Sequence, residues 1–474
     1  MTWLTGAGDS LCNLFQSDKK MTTATSTPLG ILCFEAAKTM SRLVSLYRSL
    51  SDDEIRRLRI EVVRSSGVAY LNSRDEDHLL RLACAELLDD LNHVAASVAR
   101  LGEKCSDTTR GLLRFDLLHG GLKLGLIDSK KIKFRSRNVQ IIVQKMERLV
   151  SVTENLYSAW ESLSELKHSK KKINEWKIAN IDLFHEKIFL LQKQVQSYKE
   201  ASLWSKTYDE SLGLMARLVC VVYARIYVVF GSYYISGLQC SPTEYCLLEE
   251  RNFHLQKTKR AWKTTSPMGL ARFYGFDRIT GGKIGKSEGV SRLAPQSTVG
   301  GSALTVRYAN VIILAERCLY APETVDKDTR DGLYEMLPES LRRTVRTKLR
   351  KRWGEEKGGR DGHALAEGWR DAVEEMMTWL APLAHDTMTW QAERKLERQQ
   401  RYFGSVGKSV LLMQTLHFSD LEKTEAAIVE VLVGLSCVFR YENLRRSVDH
   451  HHHRDHPSHV QVPVGAGYNN KTWS

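Results

Sequence analysis

The stretch VQIIVQKMERLVSVTENLYSAWESL (139–163) decides the fold class. Its positions Val139, Ile142, Met146, Leu149, Thr153, Leu156, Trp160 and Leu163 alternate spacings of three and four. Side chains so spaced share one face of a helix, and a seam sustained this long predicts a long, heptad-patterned helix. The same alternation returns at Ile181, Phe184, Ile188, Leu191, Val195 and Tyr198, and again at Leu212, Met215, Val219, Val222, Ile226 and Val229. Three such stripes joined by short polar connections predict an antiparallel three-helix bundle, because each stripe has the others to bury against.

Working outward, the N-terminal third also reads as helix. Ile31, Phe34, Met40, Leu43, Val44 and Tyr47 recur at helical spacing, with Thr27 available as a cap before Pro28. Ser51 to Glu54 and Ser73 to Glu76 match the capping box, in which a hydroxyl and a carboxylate satisfy each other's free backbone donors. From Ser236 to Ser297 the periodicity fades and Gly, Ser, Thr and basic residues accumulate, as in a flexible linker. Helical pattern resumes at Leu304, Tyr308, Val311, Ala315 and Leu319, and ends with Ser419 capping a helix through Ile428, Val431, Leu435 and Val438. The expected architecture is all-α. It comprises a disordered N-terminus (1–27), an N-terminal helical domain (28–105), a long-helix bundle continuing it (106–235), a flexible linker (236–297), a C-terminal helical domain (298–441) and a disordered His-rich tail (442–474).

Composition narrows the class. Hydrophobic residues make up 42% and charged residues 26% of 474, values of a globular chain, and only 9 prolines interrupt it. The net charge of +13 and a pI near 9.2 imply a surface with positive potential toward phosphates, anionic lipid heads or acidic protein patches. The 9 cysteines are scattered, without a C-x-x-C pair, so a reducing intracellular compartment fits best and a zinc knuckle is not indicated. The N-terminus lacks the pattern of a secretory signal. Leu218 to Ile235 is apolar enough to suggest a membrane span, yet Arg225 sits near its middle. An arginine there costs about +2.5 to +3.5 kcal/mol on insertion, so the stretch reads as a buried helix of a soluble bundle.

Both ends of the chain carry a family resemblance. STVGGSALTVRYANVIILAE (297–316), with Gly300, Gly301, Tyr308, Ala309 and Asn310, resembles the signature of the plant PSK SIMULATOR family. The likeness continues through LYEMLPESLRRTVRTKLR (333–350), WLAPLAHDTMTWQAER (379–394) and LLMQTLHFSDLEKTEAAIVEVLVGL (411–435). At the other end, residues 31–59 and 75–102 are similar to the family's second domain. The resemblance implies a non-enzymatic signalling or scaffold protein that promotes plant growth, linked to the peptide hormone phytosulfokine and to stress responses. It implies no catalytic residue, and no cofactor is expected. The expected residence is the nucleus or the cytoplasm, with a peripheral place at the plasma membrane as the alternative. Better-known members begin Met-Gly, whereas Thr2 here does not allow N-myristoylation.

Gly300 and Gly301 are expected to open a helix, with close helix packing the leading reason and anion binding the second. Arg342, Arg343, Arg346, Lys348, Arg350, Lys351 and Arg352 crowd eleven residues and form the leading candidate binding or nuclear-localisation cluster. Lys130, Lys131, Lys133, Arg135 and Arg137 form a second cluster, and Lys167 to Lys172 a third. The plain alternative for each is a solvated helix face. The alternative function is therefore a peripheral binder of anionic membranes or nucleic acid, although regularly spaced base-stacking aromatics are absent and sequence-specific readout is not expected.

Other motifs are weaker. Gly285-Lys286-Ser287 and Gly407-Lys408-Ser409 imitate a phosphate-binding loop, but Thr280 and Tyr402 stand where the motif needs glycine. His450 to His453, with His456 and His459, offers imidazoles without fixed geometry, which favours adventitious metal binding. His417, Ser419 and Asp420 are triad residue types, but Ser419 reads as a helix cap.

Overall fold

The computed structural model describes residues 28–102, 134, 136–175, 181–237, 290, 294–355, 362–398 and 410–452. Among them the elements are helices, with isolated bridges and no strand. The expected linker, apart from its edges, lies outside the described residues. So do both phosphate-loop imitations, Lys130, Lys131, Lys133, Arg135, and the tail from 453. Contacts divide the chain into two compact units, Met1–Ala309 with Pro382–Leu421, and Asn310–Ala381 with Glu422–Ser474.

The first unit is built on α1 (Cys33–Ser49), a short α2 (Asp52–Arg57), α3 (Glu76–Gly102), α4 (Arg137–Glu175), α5 (Ile181–Ala201) and α6 (Tyr208–Gly237). Ser51 caps α2 as its pattern predicts, accepting a hydrogen bond from the Glu54 amide. At α3 the cap shifts by two residues. Asp75, not Ser73, accepts from the amides of Asp77 and His78, while Ser73 accepts from the amide of Asp75. Ile31, expected on the buried stripe, stands exposed in a 3-10 turn ahead of α1.

In α4 the predicted seam is the buried face: Val139, Ile142, Met146, Leu149, Thr153, Leu156 and Leu163 are all under a tenth exposed. Thr153 is tolerated there because its hydroxyl donates to the Leu149 carbonyl and accepts from the Leu203 amide. That second bond, with Lys199 stacked over Trp160, shows α5 returning antiparallel along α4. Helix α1 runs antiparallel to both α4 and α3. Phe34 meets Tyr157 and Arg48 pairs with Glu147 on one side, while Arg42 pairs with Asp90 and Arg100 with Glu35 on the other.

The third seam is buried as expected, but not in a bundle with the first two. Helix α6 packs chiefly on α3. The stripe required an apolar partner, and α3, on which Leu79, Leu80, Ala83, Leu87 and Leu91 are buried, supplies one. The buried side chains of α1 to α6 consequently share a single core. Helix α6 is long and apolar enough to cross a membrane by length and composition, and 61% of that window is buried inside the protein. Arg225 is accommodated by its surroundings. Its guanidinium donates to the Leu50 carbonyl, pairs with Asp52 and lies over the Phe134 ring.

The second unit contains α8 (Lys327–Met336) and α9 (Glu339–Glu355), with parts of three longer helices. These are α7 (Thr305–Tyr320), α10 (Gly362–Arg398) and α11 (Leu421–His452). Its core comes from Val311, Ile312 and Ala315 of α7, Leu341, Val345 and Leu349 of α9, Val373 and Met377 of α10, and Ile428, Val431 and Leu435 of α11. Gly434 lets α11 approach α10 closely, since a Cβ there would stand 2.4 Å from Val373 Cγ2. The backbone of α11 remains helical through His452, past Tyr441 where the sequence pattern places the start of the tail.

Candidate binding surface and a buried polar cluster

The family signature forms a clamp in the first unit. Gly300 and Gly301 do not open a helix: they lie in a turn, and α7 begins at Thr305. The Val299 amide donates to the Ser419 carbonyl, the Gly300 amide to the His417 carbonyl, and the Leu421 amide to the Ser297 carbonyl. Asp420 in turn donates its amide to the Leu71 carbonyl. Close packing is the reason for both glycines, against backbone instead of another helix. A Cβ on Gly300 would meet the His417 carbonyl oxygen at 2.4 Å, and one on Gly301 the Pro295 carbonyl oxygen at 2.1 Å. Tyr308 and Ala309 follow, fully buried, and Asn310 is half-buried. Ser419 is no helix cap. Its backbone carries the clamp, and its Oγ is buried with no hydrogen-bond partner among the described residues.

The leading basic cluster lies on α9. Leu341, Val345 and Leu349 turn one stripe of the helix inward, which sends the cations outward. Some have partners: Arg342 pairs with Glu339, Lys348 with Glu430, and Arg352 stacks over Trp369. Arg343, Arg346, Arg350 and Lys351 are exposed and make no ion pair among the described residues. Arg343, Arg346 and Arg350 stand at i, i+3 and i+7, a single row along the helix. Guanidinium groups in a row, each with a planar fork of donors, suit phosphate or carboxylate groups presented in series. Arg137 is exposed at the start of α4, and Lys167 and Lys171 are exposed farther along it.

A cluster that sequence reading missed lies inside the first unit. Glu86 and Asp90, one turn apart on α3, meet Trp390 and Arg394, one turn apart on α10. The Trp390 indole N–H donates to Glu86 Oε1 at 3.2 Å and the Leu412 amide to Oε2 at 2.7 Å. Arg394 donates through both terminal nitrogens to Asp90, at 3.0 and 3.3 Å, and lies 3.7 Å from Glu86. Arg42 of α1 closes the other side of Asp90. Burial pushes the Glu86 carboxyl up to about 7, helped by the charge of Asp90 and opposed by Arg394. Burial pulls Asp90 upward too, but the guanidiniums of Arg42 and Arg394 together hold it below the ordinary carboxylate range. Asp89, on the same turn, is raised by burial. No signal in one sequence marks these residues, since Glu86 and Asp90 at helical spacing also describe a solvated face.

Among the described residues no group of three or more His, Cys, Asp or Glu side chains is arranged to hold a metal ion. Cys33, Cys84 and Cys220 are buried thiols, each pushed up to about 12 by desolvation.

Comparison with known proteins matches two parts of the chain. Residues 31–87 match a domain of unknown function (DUF3475), and residues 298–389 match a protein of unknown function (DUF668). No enzymatic family is among these matches. The class is therefore an all-α protein whose chain matches these two domain models in this order. The chain is similar to three PSK SIMULATOR proteins of Arabidopsis thaliana. It is 24% identical to Protein PSK SIMULATOR 1 across 90% of this chain and 59% of that protein. It is 25% identical to Protein PSK SIMULATOR 3 across 86% and 56%, and 24% identical to Protein PSK SIMULATOR 2 across 90% and 63%. It thus spans about three fifths of the length of the curated relatives it matches. No solved structure matches the chain.

Proposed function

We propose that this chain is a non-enzymatic regulator in phytosulfokine-related plant growth signalling, acting in the nucleus or cytoplasm by engaging protein partners through outward helix faces. The observation that carries this reading is the similarity to three proteins named PSK SIMULATOR along 86–90% of the chain. The row Arg343, Arg346, Arg350 supplies its contact surface: exposed, without ion pairs among the described residues, and held on a helix anchored by three buried apolar side chains. Its partner presents carboxylates or phosphates in series. Removing the gene together with its close copies tests the proposal. Reduced growth and a weakened response to the hormone are expected, and unchanged growth would overturn it.

A second reading is favoured by the same row of arginines: a peripheral binder of anionic membrane or nucleic acid. It expects binding to phosphatidylserine vesicles or DNA that weakens steeply with salt and disappears when Arg342 to Arg352 are neutralised. Binding that ignores salt removes it.

A further inference from the structure

Beyond Leu163 no described residue of α4 is buried, and on α5 the described residues before Ile188 are half-buried or exposed. Over residues 164–171 and 184–187 the two helices are thus covered chiefly by each other. At this end Phe189 is 66% and Leu190 58% exposed, both turned away from the stripe of Ile188 and Val195 that faces α4. The register set by Lys199 over Trp160 and by the Leu203 amide on Thr153 puts this pair level with the turn of α4 bearing Lys167 and Lys170. Lys167, Lys171, Lys187 and Lys193 are exposed and Lys170 is half-exposed, none with an ion pair among the described residues. Glu165 and Glu186 are the exposed acids among them.

We infer that this end of the α4–α5 hairpin contacts an anionic phospholipid surface, with Phe189 and Leu190 entering the interface and the lysines lying against the headgroups. Two adjacent apolar side chains on an outer helix, with cations on both helices around them, form a convex face. Such a face suits a plane better than it suits a peptide, which needs a groove to bury its own anchors. Lysine stems lie along the interface while their ammonium groups reach the phosphates, and a phenylalanine beside them adds apolar burial that charge alone lacks. This inference does not rest on the α9 reading, since the two involve residues of different units.

The test is sedimentation of the full chain with phosphatidylcholine vesicles, with and without phosphatidylserine. Binding should require phosphatidylserine. Phe189→Ser with Leu190→Ser should weaken it by about tenfold or more, and Lys167→Glu with Lys171→Glu should abolish it. All four positions are exposed, so helicity should be unchanged in each variant. Arg343→Glu with Arg346→Glu should leave vesicle binding in place. No binding at physiological salt overturns the inference. So does loss with the lysine variant alone, which would mark a general acidic ligand, or loss only with the α9 variant.

Discussion

Trp390 donates its indole N–H to the buried Glu86 carboxylate at 3.2 Å, joining helices α10 and α3 across 304 positions of sequence. The groups facing Glu86 are Asp90 on its own helix, Arg394 and Trp390 on α10, and the Leu412 amide; Arg42 reaches the cluster through Asp90. Because burial raises the Glu86 carboxyl from 4.5 to about 7, the folded protein holds this proton more tightly than the unfolded chain. Its contribution to stability is complete at acid pH and declines as pH rises through about 7. Glu86→Gln removes that decline. Relative to the parent, the variant should gain stability between about pH 5 and about pH 8, by at most about 3 kcal/mol. Denaturant unfolding at both pH values checks this, and a difference that does not change with pH contradicts it.

Arg394→Gln takes the bidentate partner from Asp90 and the nearest cation from Glu86. Breaking a buried pair on one side costs about 3–5 kcal/mol. The loss should be larger at alkaline pH, where both carboxyls must ionise. A cost under about 1 kcal/mol by denaturant unfolding would show that the cluster is more hydrated than its burial implies.

Gly300→Ala and Gly434→Ala meet obstacles at the same 2.4 Å, yet they should differ. At Gly300 the obstacle is a backbone carbonyl of the clamp, which cannot rotate aside. At Gly434 it is a Val373 methyl, which can. Overpacking costs about 1–3 kcal/mol, and Gly434→Ala should fall at the lower end with Gly300→Ala at or above the upper. Thermal melting ranks the two.

Cys33, Cys84, Cys220, Cys318 and Cys437 are buried thiols outside any disulfide. A thiol reagent at neutral pH should modify them at the rate of unfolding. Modification of any of the five under native conditions would place an opening where the structure has core.

What the sequence made legible is what spacing controls. The α4 stripe turned inward residue by residue, because a row repeated every three or four positions has one way to leave water. Spacing names the buried face but not its partner, which is why α6 was expected against α4 and α5 and packs chiefly on α3. Ser419 and Ser73 show a second limit. Both satisfy a capping pattern, but a local pattern loses where another donor or acceptor is better placed: Asp75 at α3, and the clamp with residues 297–299 at Ser419. The signature glycines announced a close approach without revealing that backbone, not a helix, makes it. The Glu86 cluster was invisible because its halves lie some three hundred positions apart and each alone resembles surface charge.

The exposed arginine row of α9 is the proposed recognition surface, and rescue of plants lacking the gene tests it most directly. Arg343→Glu, Arg346→Glu and Arg350→Glu together alter exposed side chains without ion pairs among the described residues, so the fold should melt as the parent does. Transgenic plants expressing the parent chain at matched levels should recover growth and hormone response, and those expressing the triple variant should not. Full recovery with the triple variant would contradict the account.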